Sequence, residues 1–127
     1  MRPKSISAFF PAYNDAGTIP TMIIRVLQTL PEVTDDYEVV VINDGSTDDT
    51  GRMLDELARL YSPRVRVIHH SRPSGYGGVL RAGFAAAQKD WIFYTDGDAQ
   101  YDARELAALT HALADGVDMV QGYKIKR

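Results

Sequence analysis

The chain has 127 residues, 45% of them apolar and 24% charged, with a formal net charge of −3. That length supports one domain around a single core, and the balance of apolar and charged residues excludes a disordered chain. The mild negative charge supplies no basic field for nucleic acid, and the absence of cysteine excludes disulfides and thiolate metal sites.

No apolar run approaches the roughly 18 residues of a membrane span. The opening MRPKSISAFFPAYND turns polar too soon for a signal peptide. The expectation is a soluble, cytoplasmic domain.

In chain order, Ser5–Phe10 (SISAFF) is a short apolar run without helical period and reads as a strand that Pro11 ends. The turn-rich PAYNDAG leads to a helix from about Thr18 to Leu30. Met22, Ile23, Val26, Leu27 and Leu30 form its apolar face, with Thr18 as cap and Pro20 in the first turn. Tyr37–Ile42 (YEVVVI) is β-branched and continuous, as a strand buried on both faces should be. In NDGSTDDT, Ser46 with Asp49 three later resembles a capping box for a helix through Met53, Leu54, Leu57 and Leu60.

Val65–His70 is the third strand. The glycine-rich SRPSGYGG opens a helix whose apolar face is Val79, Leu80, Phe84 and Ala87. Trp91–Thr95 is the fourth strand. Asp102 with Glu105 caps a helix carrying Leu106, Leu109 and Leu113, and Asp118–Tyr123 reads as a fifth strand. Strands alternating with helices predict an α/β fold: a Rossmann-like, open, mostly parallel sheet with helices on both faces. The predicted strand order is 3-2-1-4 plus the further strand, in one domain over residues 1–127.

In such a sheet, ligands bind at the carboxyl ends of the strands, where strand order reverses. The four unusual motifs, PAYND, NDGS, the glycine-rich segment and DGDAQ, all follow strands and so fall at that edge. DGDAQ places Asp96 and Asp98 two apart, on one face of an extended segment. At about 4 Å two such charges repel by roughly 1–4 kcal/mol. Either the motif is a solvated Asp-Gly turn, or a cation sits between the carboxylates with Gln100 as a third oxygen. Three oxygen donors suit Mg²⁺ or Mn²⁺, and no Cys or His neighbours them for zinc.

Asp44 beside Gly45 is turn chemistry, yet a carboxylate there also suits a base or ribose. Tyr13 offers a stacking face, with Asn14 and Asp15 beside it. SGYGGVLRAG fits neither the G-x-G-x-x-G fingerprint nor a P-loop. It is either a flexible turn or a helix start whose Gly75, Gly77 and Gly78 amides, with Arg81, meet a diphosphate. His69 and His70 are consecutive in a strand, so they point to opposite faces and do not share a metal. There is no nucleophile elbow, and Ser71 beside His70 has no triad context.

Taken in this order, FFPAYNDAGTI, VVVINDGSTDDT, SGYGGVLRAGFAAA, WIFYTDGDAQYD and DMVQGYKIKR resemble the family 2 glycosyltransferases of the GT-A fold. They are most similar to the dolichyl- and polyprenyl-phosphate mannosyl- and glucosyltransferase branch. The resemblance implies a metal-dependent, inverting transfer of a hexose from a UDP- or GDP-linked sugar to a polyprenyl phosphate. It assigns the nucleotide to Pro11, Ala12, Tyr13, Asn14, Asp15 and Asp44, and the DXD-type metal motif to Asp96 and Asp98, with Gln100. Lys124, Lys126 and Arg127 could attract the acceptor phosphate, although a solvated basic end is the plainer reading.

Asp15 stands where the family often has Glu, and Asn43 where it often has Asp. The chain stops after GYKIKR, where relatives continue through the acceptor-binding half and, in this branch, often an amphipathic or membrane-spanning C-terminal region. The expectation is therefore the N-terminal part of a longer transferase, cytoplasmic or at the cytoplasmic face of a membrane. A family 2 transferase with a saccharide acceptor and a non-catalytic sugar-nucleotide-binding module are the alternatives.

Overall fold

The computed structural model describes residues 3–94 and 103–113 of the chain. Eight elements alternate: β1 Ser5–Ala12, α1 Ile19–Val33, β2 Asp36–Asp44, α2 Thr50–Leu60, β3 Val65–His70, α3 Gly75–Ala86, β4 Trp91–Tyr94 and α4 Ala103–His111. The four strands form one parallel sheet in the order β3-β2-β1-β4, as the alternation predicts. The predicted fifth strand, the predicted Asp102 cap and Thr95 lie outside the described residues.

Side-chain alternation along the strands splits the core in two. Ile6, Ala8, Phe10, Val39, Val41, Val65 and Phe93 face a layer built from α1, α2 and α4. Phe9, Val40 and Ile42 face α3, through Val79 and, at their margin, Leu80 and Ala82. Strands β1 to β3 wind outward with α1 and α2 on one face. The return to β4 then carries α3 to the other, which is what crossovers of uniform hand produce.

Several boundaries move, each for a physical reason. β1 continues through Pro11 and Ala12, which pair in register with Ile42 and Asn43, so Pro11 does not end the strand. α1 runs through Pro31 to Val33 because Val33 is buried and the Thr34 N–H closes on the Leu30 carbonyl at 3.0 Å. α2 starts at Thr50 without a side-chain cap from Ser46, whose hydroxyl instead accepts the Asn14 N–H at 3.0 Å. The predicted Thr18 cap likewise makes no side-chain hydrogen bond.

On α3, Phe84 is 52% exposed and meets Phe9 edge-on at 5.2 Å, while Gly83 takes the buried position expected of a large residue. A Cβ at Gly83 would lie 2.3 Å from the Phe9 ring. Gly83→Ala is therefore expected to cost about 1–3 kcal/mol through overpacking, read as a lower midpoint in urea at unchanged slope.

At the amino edge of the sheet, Glu38 is buried with its side chain 5% exposed. One oxygen accepts from Arg66 Nε and a second guanidinium nitrogen at 3.0 and 2.8 Å. The other accepts from Ser7 Oγ at 2.5 Å and the Gln88 N–H at 2.9 Å. Ser7 Oγ also receives the Lys89 N–H, and Ser5 Oγ that of Asp90. The network ties three strands to the α3–β4 connection, leaving the carboxyl edge to the site.

Candidate functional site

The loops after β1 and β2 are strapped together. Asn14 sits at φ +51°, in the left-handed region that Asn tolerates better than most residues. From there its Oδ1 accepts the N–H groups of Thr47 and Asp48 at 2.8 and 3.3 Å. The Asp15 N–H donates to Thr50 Oγ1 at 3.0 Å, its carbonyl accepts the Thr18 and Ile19 N–H groups that start α1, and its carboxylate accepts the Tyr13 N–H at 3.2 Å. These bonds leave the Tyr13 ring standing at the rim, 49% exposed. Ala12 is fully buried in the strand and Pro11 partly so.

Asp44 ends β2 with its side chain 10% exposed. Its Oδ1 accepts from His70 Nδ1 at 2.9 Å and from the Ser74 N–H and hydroxyl, both at 2.8 Å; Oδ2 accepts the Gly75 N–H at 3.2 Å. Burial raises the carboxyl pKa, but the hydrogen bonds from His70, Ser74 and Gly75 outweigh it and hold the group below the usual carboxylate range. Each carboxylate oxygen has two lone pairs, and Oδ2 receives a single donor among the described residues, so one acceptor position on it is left to offer. Asp44 thus caps the N-terminus of α3 and stands at the crevice at once.

The Gly75 amide is committed to Asp44. Arg81 lies one turn beyond Gly77, its guanidinium folded back over the glycine-bare first turn, 3.4 Å from where a Cβ on Gly77 would sit. Tyr76 on the same turn is 67% exposed.

The structure therefore brings Asn14 and Asp15 to the NDGS loop, and Asp44 to Gly75. Ser46, Thr50, His70 and Ser74 complete these contacts and were not singled out from the sequence as parts of the site. Strand register, Asp44 opposite His70, makes the His70 partnership visible, whereas those of Ser46, Thr50 and Ser74 depend on how the loops fold back. Asp96, Asp98, Gln100, Lys124, Lys126 and Arg127 lie outside the described residues. Tyr94, the last residue of β4, is paired with Phe9 in the carboxyl half of β1. No helix among the described residues is long and apolar enough to cross a membrane.

Comparison with known proteins fits this arrangement. The model of the family described as Glycosyl transferase family 2 matches residues 7–126. The undecaprenyl-phosphate 4-deoxy-4-formamido-L-arabinose transferase of Proteus mirabilis (strain HI4320) is 29% identical over 92% of this chain, and that of Klebsiella pneumoniae (strain 342) is 31% identical over 92%. The chain spans 36% of the length of each.

Among solved structures, glucosyl-3-phosphoglycerate synthase from Mycobacterium tuberculosis, in complex with Mn²⁺, UDP and phosphoglyceric acid, superposes with a TM-score of 0.69. It is 26% identical, over 89% of this chain and 40% of that one. A mannosyltransferase from Pyrobaculum calidifontis in complex with GDP-Man and Mn²⁺ shares the fold, with a TM-score of 0.71 at 24% identity, over 91% of this chain and 34% of that one. A parallel 3-2-1-4 sheet, motif-bearing loops at its carboxyl edge and a family match over nearly the whole chain lead to one conclusion: this chain belongs to glycosyl transferase family 2.

Proposed function

We propose that this chain is the nucleotide-sugar-binding half of a transferase that moves a hexose from a nucleoside-diphosphate sugar to a polyprenyl phosphate, with inversion at the anomeric carbon. The observation that carries the reading is the joining of three strand-end loops about Asp44 at one edge of the sheet, in a family 2 chain. The acceptor class is supported by curated relatives named as undecaprenyl-phosphate transferases.

In this reading the spare acceptor position on Asp44 Oδ2 takes an N–H or O–H of the base or ribose, and the exposed Tyr13 ring supplies a stacking face. Gly77 and Arg81 at the first turn of α3 meet the diphosphate. Asp96, Asp98 and Gln100 offer only oxygen donors, the set that a hard divalent ion takes, and would hold Mg²⁺ or Mn²⁺. When bound, that ion supplies Lewis-acid stabilisation of the charge on the departing diphosphate. The neighbours solved with Mn²⁺ support the same choice. A phosphate-monoester acceptor is already anionic at neutral pH, so this half need furnish no general base; Lys124 and Arg127 would attract that phosphate, on the cytoplasmic face of the membrane.

Calorimetric titration with UDP and with GDP, with and without Mn²⁺, tests the site. One nucleotide is expected to bind with metal, and Asp98→Ala to remove the metal-dependent part, a loss of at least about tenfold. Metal-independent binding, unchanged in the variant, would overturn the metal assignment. Transfer of labelled sugar to undecaprenyl phosphate, and none to free saccharides, is the result expected of the acceptor reading.

A further inference from the structure

Two consecutive histidines end β3, and each meets the residue opposite it on β2: Asn43 pairs with His69 and Asp44 with His70. Because consecutive strand residues face opposite ways, one pair lies toward α2 and the other toward α3. Asn43 in turn holds a backbone amide of the β2–α2 loop, and Asp44 holds those at the start of α3. Asn43 Oδ1 accepts the Ser46 N–H at 3.3 Å, and Asp44 accepts those of Ser74 and Gly75.

The chemistry of the partners assigns the protons on both rings. The oxygen of the Asn43 amide is taken by Ser46, so its NH₂ is the group 2.9 Å from His69 Nδ1. An amide NH₂ only donates, so His69 Nδ1 is bare and its proton sits on Nε2, which donates to Asp55 Oδ1 at 2.7 Å. His70 faces the opposite demand. Carboxylate oxygens only accept, so His70 Nδ1, 2.9 Å from Asp44 Oδ1, carries the proton; Ser74 Oγ, 3.1 Å from the same nitrogen, gives its own proton to Asp44 Oδ1 and is left to accept. Space leaves little slack on the α2 side: a Cβ at Gly51 would stand 3.0 Å from Asn43 Nδ2 and 3.7 Å from the His69 ring.

We propose that His69 and His70, donating from opposite ring nitrogens, Nε2 and Nδ1, are positioning residues for the nucleotide site: His69 sets Asn43 and the β2–α2 loop that grips Asn14, and His70 sets the Asp44 carboxylate on α3. This rests on the proposed function for what the two loops bind, whereas the tautomer assignment stands on the geometry alone. His70 donates to Oδ1, so the spare acceptor position on Asp44 remains on Oδ2. Each imidazole acts through its neighbour, Asn43 or Asp44.

Long-range ¹H–¹⁵N correlation spectra of the full chain at neutral pH read the tautomers directly. The Nε2–H form is expected at His69 and the Nδ1–H form at His70; the same tautomer at both would overturn the proposal. Calorimetry with UDP and GDP, each with Mn²⁺, reads the consequence. His70→Ala is expected to weaken the nucleotide by about tenfold, the loss typical of a hydrogen bond to a charged group. His70→Asn, whose amide can donate from where Nδ1 stood, is expected to stay within about twofold of the unmodified chain.

His69→Ala and His69→Asn, whose side-chain oxygen can accept from Asn43, form the matching pair. Unchanged affinity in both alanine variants overturns the proposal. Equal loss in the alanine and asparagine variants does so too, since it marks a packing role only. A chain that binds neither nucleotide would instead sink the functional reading, with the tautomer spectra still deciding this one.

Discussion

Glu38→Ala is expected to lower folding stability by about 2–4 kcal/mol at neutral pH, somewhat under the cost of breaking a fully buried ion pair because the Arg66 side chain is 36% exposed and water can reach it. The Arg66 guanidinium would keep its hydrogen bond to the Ala86 carbonyl at 2.7 Å but lose its counter-charge. Ser7 Oγ would lose its acceptor and the Gln88 N–H one of its two. Glu38→Gln preserves the shape and one oxygen, so a loss about half as large is expected. Urea unfolding of the three proteins checks both, and a loss under about 1 kcal/mol for the alanine variant would show that water replaces the network at no cost.

The same residue sets a pH dependence. Burial raises the Glu38 carboxyl pKa, but hydrogen bonds from Ser7, the Gln88 N–H and Arg66, together with the Arg66 charge, outweigh it and bring it below its ordinary value of 4.5. A folded-state pKa below the unfolded one means that the contribution is complete above about pH 4.5 and fades as pH falls through the lowered value. Asp44 is lowered by the same kind of competition and adds to the effect. Stability is thus expected to fall as pH drops through the lowered carboxyl values, below the ordinary 4.5 of Glu38, and the Glu38→Gln protein to show a shallower acid limb.

Gly45→Ala is the second large effect, expected at about 3 kcal/mol. Gly45 has φ +78°, which costs an L residue about 1–2 kcal/mol. Its added Cβ would also lie 2.6 Å from the Arg72 carbonyl carbon and the Pro73 nitrogen. Those are backbone atoms, so the β2–α2 and β3–α3 loops must separate to admit it. Because Asp44 precedes Gly45 and bonds Ser74 and Gly75, nucleotide affinity is expected to fall in a folded variant as well. A variant as stable as its parent, with unchanged affinity, would show that the two loops are not held against each other.

Glu38 and Gly45 also mark the limit of what the primary structure reveals. Glu38 stands in a run of β-branched residues where an acid looks like an edge residue, and nothing local announces Arg66, 28 residues on. Gly45 is legible as a turn, since Asp-Gly is turn chemistry, but the backbone it must clear belongs to another loop. Phe84 was misplaced for a related reason. Helical period put a large side chain toward the sheet, whereas close approach of α3 to Phe9 demands a glycine there, which turns Phe84 to the margin. Ser46 shows the same competition: its spacing suits a helix cap, but the Asn14 N–H is the donor that reaches it.

Local pattern determined the parallel α/β class, and the winding usual for such a sheet then supplied the order 3-2-1-4 and the edge at which the motifs gather. Period and turn chemistry are properties of neighbouring residues, and chain connectivity then admits few windings. Only the tertiary structure decided which polar groups are already engaged: Asn14 with Thr47 and Asp48, Asp44 with His70 and Ser74, Asn43 with His69. Those pairings depend on register between strands and on the spacing of loops far apart in the chain, and hydrogen bonds, which act over about 3 Å, have no shorter record than three dimensions.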